Sequence, residues 1–83
     1  MKFSRRSETL QISGQDVVIF ELSAAEFAQV MTNEDDTDQL AELLRLSLND
    51  VATTEDILSW PNSIVNQLSD AVMLLNGLTD SGN

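Results

Sequence analysis

The densest run of oxygen donors in the chain is Asn33-Glu34-Asp35-Asp36-Thr37-Asp38, and such a run raises calcium binding first. An EF-hand loop alternates its ligands and needs glycine at its sixth position and glutamate at its twelfth. Counted from Asn33, these positions are Asp38 and Leu44, so the pattern fails at both. Acids ahead of an amphipathic run have a simpler use, which is to cap a helix and complement its dipole. Histidine, cysteine and tyrosine are absent. Their absence removes His-based triads, thiolate nucleophiles, disulfides and the usual zinc sites. Paired carboxylates are the remaining catalytic option, and a thin domain offers little of the deep cleft that shifts their pKa values. No catalytic, cofactor-binding or metal-ligating residue is assigned, and the chain is expected not to be an enzyme.

A prosthetic-group serine is the other chemistry to test. Acyl carrier proteins place Asp-Ser-Leu at a helix start. Here Ser69-Asp70 is reversed and falls in the middle of an expected helix, and Asp80-Ser81 is followed by Gly82.

Whatever the chain does must be done by surfaces, and the composition sets their character. Eighty-three residues make one domain with a thin core, burying roughly 60% of the unfolded surface. The hydrophobic content of 42% suits a folded protein. Fourteen acidic against four basic residues give a formal charge of −10, and three of the four cations are Lys2, Arg5 and Arg6. A body this anionic repels nucleic acids and anionic membranes, so neither is expected as a partner. Lys2-Phe3-Ser4-Arg5-Arg6 is short for a secretory n-region and no apolar h-region follows it. No run reaches the ~18–20 apolar residues of a membrane span.

The elements predict an α+β fold: an N-terminal hairpin followed by three to four helices. Residues 1–8 read as a flexible basic segment, 9–22 as the hairpin, 23–77 as the helical part and 78–83 as a frayed tail. A type II′ turn at Gly14-Gln15 pairs Ile12 with Val17 and Leu10 with Ile19, so that those four share a face. A three-residue loop shifts the pairing by one and places Val18 and Phe20 with Leu10. The second grouping is preferred, because it puts Phe20 and Leu22 inside and Glu21 outside.

Ser23 with Glu26 forms a capping box, with Leu22 and Phe27 as its hydrophobic staple. The first helix is expected from Ala24 to near Thr32, burying Phe27, Val30 and Met31. Asp36 or Thr37 caps a second helix reaching about Asn49, whose stripe is Leu40, Leu43, Leu44, Leu48 and Val51, with Ser47 on the same side and Leu46 off it. Thr53 and Asp56 start a short third helix that stops before Pro61, since proline disfavours helical geometry at Trp60. Pro61 is expected as the first residue of a fourth helix with the stripe Ile64, Val65, Leu68, Ala71, Val72 and Leu75, closed by Gly77.

Several apolar residues exceed what one buried face requires. Met73 and Leu74 fall beside or opposite the last stripe, Leu78 follows the stop, and Leu46 is in the same position on the second helix. A helix sandwiched between two neighbours needs such residues. The alternative is a partner-binding strip, which methionine suits because it adapts to varied surfaces. Trp60 beside Pro61 poses the same choice between core plug and binding aromatic. The candidate partner-binding residues are Met73, Leu74, Leu46, and Val17 and Ile19 on the second face of the hairpin.

The order of these parts resembles a known type. A hairpin ending in Val-Val-Ile-Phe-Glu-Leu-Ser-Ala-Ala-Glu-Phe, an acidic break, a Leu-rich helix, Thr-Glu-Asp-Ile-Leu-Ser-Trp-Pro and a final helix closing in Leu-Leu-Asn-Gly-Leu are similar to the tail assembly chaperones of long-tailed bacteriophages, over about residues 9–78. The resemblance implies a non-catalytic protein that coats the helical tape measure protein, helps recruit tail tube protein, and leaves before the virion is complete. It therefore implies residence in the host bacterial cytoplasm. The length matches the short, non-frameshifted form. Self-association is a further expectation. Two other classes fit the composition: an acidic DNA mimic inhibiting a DNA-binding protein, and a permanent tail completion protein.

Overall fold

A computed structural model describes residues 1–77 and has the expected α+β architecture: a two-stranded antiparallel hairpin followed by four helices. The expected tail at 78–83, and Leu78 with it, lies outside the described residues.

The hairpin consists of β1 (Ser7–Ile12) and β2 (Gln15–Phe20). Its turn is Ser13-Gly14, one residue earlier than expected, with φ of 52° and 78°. Positive φ at both central residues defines a type I′ turn, whose twist matches that of the strands. Leu10 therefore pairs with Val17 and Ile12 with Gln15. The buried face is the one shared by Leu10, Ile12, Val17 and Ile19, and the preferred alternative is overturned: Val18 points away from the core and is 43% exposed. The strand also starts earlier than Thr9, because Arg5 and Arg6 are engaged. Arg5 pairs with Glu26. Arg6 pairs with Glu21 and donates to the Leu75 carbonyl.

Helix α1 (Ala24–Met31) begins with the complete capping box. The Glu26 N–H donates to Ser23 Oγ at 3.1 Å and the Ser23 N–H to Glu26 Oε1 at 2.9 Å. Ser23→Ala removes one half of this exchange and is expected to cost about 1 kcal/mol, read as a lowered thermal midpoint. Val30 is buried and Phe27 half-buried, but Met31 is 51% exposed and leaves the expected stripe.

Helix α2 (Asp36–Ser47) is capped by Asp35, one residue before the expected cap, whose carboxylate accepts from the N–H groups of Thr37 and Asp38. It packs on α1, α3, α4 and β2. A helix so surrounded buries more than one side, and this explains Leu46: it lies off the main stripe but is half-buried against the core. Val51 departs from the stripe altogether at 86% exposure. Asn49 and Asp50 adopt φ of 57° and 63°, so the chain leaves helical register before Val51 is reached.

Helix α3 (Thr54–Ser59) has the Thr53–Asp56 capping box, both bonds at 3.1 Å. Trp60 is extended, at φ −75° and ψ 155°, and breaks the helical path as the following proline requires. Pro61 is the N-cap of α4 (Asn62–Leu75) rather than its first residue. Gly77, at φ 71°, closes that helix. Asn76 joins the helix end to the hairpin exit: its Oδ1 accepts from the Leu22 N–H at 2.9 Å and its Nδ2 donates to the Val72 carbonyl at 2.8 Å.

Candidate partner-binding surface

Each expected contact residue can now be placed. Ile19 is fully buried beneath the hairpin, and Val17 is half-buried against the core, so the proposed second apolar face is in fact the core face. Ile19 offers no free surface, Leu46 is half-buried against the core, and Val17 offers only what it shows to the grooves beside Trp60. Met73 is half-buried and Leu74 is 55% exposed. Of the five, Leu74 alone is a freely exposed apolar side chain.

Met73 lines a small pit of about 180 Å³ between α1, α2 and α4, walled by Phe27, Val30, Met31, Leu40 and Leu43. The pit arises because α1 is short and ends in the exposed Met31 instead of covering α4. Its volume suits one or two partner side chains. Its lining is apolar apart from Asp36, Gln39 and Ser69.

A second apolar region flanks Trp60. On one side the indole faces a groove of about 370 Å³ bounded by Ile12, Val17, Pro61, Ile64 and Leu68. On the other it faces a groove of about 710 Å³ between β2 and the α2–α3 connection, bounded by Val18, Phe20, Leu48, Val51 and Ala52. Trp60 is thus a half-buried partition, neither a sealed plug nor a free aromatic. Val18, Phe20 and Val51 were not among the expected contacts. The signal for Val51 was present in Asn49-Asp50, a pair that tolerates left-handed geometry and so ends a helix early.

The surrounding electrostatics are organised by three arginines. Arg45 bridges Glu42, at 2.8 Å, and Asp50. The side-chain bond from Arg45 holds the Glu42 carboxyl below its ordinary range, and the same pairing raises the pKa of Arg45. Glu26 is lowered chiefly by the Arg5 guanidinium, and Glu21 by the Arg6 backbone N–H and side chain. Arg5–Glu26 ties the N-terminal segment to α1, whereas Arg45–Glu42 lies within α2 and Arg45–Asp50 joins it to the turn that follows. Among the described residues no three acidic side chains come together as a metal site. No helix among the described residues is long and apolar enough to cross a membrane.

No family profile, characterised protein or solved structure matches the chain.

Proposed function

We propose that this protein is a non-catalytic assembly chaperone of a long-tailed bacteriophage, in its short form. It binds the tape measure protein in the host cytoplasm, helps recruit tail tube protein, and is absent from the finished virion. The observation that carries the reading is the apolar area on the α1–α4 side: the pit lined by Met73, the half-exposed Met31 at its rim, and Leu74 one position along α4. An amphipathic helix binds by placing spaced apolar anchors into such hollows, and methionines adapt to more than one anchor along a long client. A net charge of −10 keeps coated complexes apart.

The test is co-expression with the tape measure protein of the same phage. Wild-type protein is expected to raise the client's soluble fraction. The double variant Met31→Glu, Leu74→Glu alters two exposed side chains, so it should stay folded within about 1 kcal/mol and lose the solubilising effect. A folded double variant that keeps the client soluble would remove this surface from the proposal. Mass spectrometry of purified virions separates the chaperone reading from a permanent tail component, which would be found there.

A further inference from the structure

The hairpin has two open edges, and they differ. Beside β1 the residues Ser7, Glu8, Thr9 and Gln11 are polar and exposed. Beside β2 lies the groove of about 710 Å³, with Val18 and Phe20 on the strand side and Leu48, Val51 and Trp60 opposite. The two-residue turn makes Ile12–Gln15 and Leu10–Val17 the hydrogen-bonded pairs of the ladder. Asp16 and Val18 therefore turn their N–H and C=O groups outward along the groove, and these have no partner among the described residues. The next carbonyl in that row, Phe20, already accepts from Ser47 Oγ at 2.7 Å. An unpaired backbone row beside an apolar wall is the arrangement that accepts an added strand.

The chemistry of the occupant follows from the walls. Asp16 and Asp56 stand at the groove in a protein of net charge −10, so a cation is favoured. The chain itself carries a segment of that description. Met1 and Phe3 are 108% and 87% exposed. Being two apart, they fall on one side of an extended strand, with Lys2 between them. Lys2 is the one cationic side chain without an acidic partner among the described residues. Arg5 and Arg6 anchor the root of the segment on their own fold and leave residues 1–4 projecting. Four extended residues reach about 13 Å, more than the roughly 7 Å that separates Asp16 from Val18 along a strand.

We propose that residues 1–4 of a second copy lie along β2 in this groove as a short third strand, with Met1 and Phe3 against the apolar wall and Lys2 at the acidic rim. The contact is heterologous: each copy offers one segment and one groove, so copies join head to tail in an open chain. A four-residue segment is far smaller than the roughly 20–30 residues a side of a standard interface, so the contact is weak.

Sedimentation equilibrium of the full chain tests this. The weight-average mass should rise with protein concentration. Phe3→Glu and Val51→Glu each alter an exposed side chain and should melt like the wild type. Each should weaken association about tenfold or more. An equimolar mixture of the two variants is the decisive sample. The Phe3→Glu protein keeps its groove and the Val51→Glu protein keeps its segment, so the mixture should reach the mass of a dimer and stop there. A wild type that stays monomeric throughout overturns the proposal, including the case in which the segment folds into its own groove. So does association that survives either substitution, or a mixture that stays monomeric. No client is present, so the outcome is independent of tape measure binding.

Discussion

Ile19→Glu is expected to abolish the cooperative thermal melt, whereas Val18→Glu, one residue earlier, is expected to shift stability by no more than about 1 kcal/mol. The contrast rests on the period of two along a strand. Ile19 is completely inaccessible, and Val18 is 43% exposed on the other face. Losing a buried isoleucine side chain costs about 2–5 kcal/mol. An unpaired carboxylate in its place adds a desolvation cost of several kcal/mol or forces the group to protonate. Glu8 is the cross-strand partner of Ile19, so the new acid would also face a like charge. A domain of 83 residues has only ~4–12 kcal/mol of stability to lose. Far-ultraviolet circular dichroism with a thermal ramp reads both variants. Equal behaviour of the two would mean that the hairpin register is wrong.

Ser47→Ala is expected to cost about 1–2 kcal/mol, because it removes the hydroxyl that satisfies the Phe20 carbonyl. Ser47 sits in the last turn of α2 and is fully buried, the one buried polar side chain among the described residues. Its Oγ donates to the Phe20 carbonyl at 2.7 Å and so ties the end of β2 to the central helix. Without it the carbonyl keeps no protein partner, and the strand end loses its only direct hydrogen bond to α2 among the described residues. For a chain of this size each kcal/mol lowers the melting midpoint by roughly 4–8 °C. Hydrogen exchange should quicken at the β2 amides more than in α4, because the loss is local to the strand end. An unchanged midpoint would show that solvent from the neighbouring groove replaces the hydroxyl at no cost.

The surfaces proposed for self-association and for client binding lie on different parts of this molecule. The Met31–Met73–Leu74 side is formed by α1 and α4, and the groove along β2 by the hairpin and the α2–α3 connection. A chain of copies joined through the grooves would leave the α1–α4 sides open, and tethering several weak client sites together raises their combined affinity.

The sequence by itself determined the elements and their punctuation. The boxes Ser23–Glu26 and Thr53–Asp56, the break at Trp60-Pro61 and the closing Gly77 were all legible, because each depends on groups within a few residues of one another along the chain. The hairpin and the main stripes of α2 and α4 were legible for the same reason, since period and propensity are local properties. Which apolar residues became surface was decided only by the tertiary structure. Ile19 went inside because the Ser13-Gly14 turn set the pairing and α2 and α4 then covered that face. Leu46 was half-buried because α2 lies among four neighbours. Met31 and Leu74 stayed out because no element among the described residues packs over them, and Val51 was expelled by a left-handed Asn49-Asp50 pair. Burial depends on what arrives from distant parts of the chain, and the hydrophobicity of a residue does not reveal whether a neighbour will come to cover it.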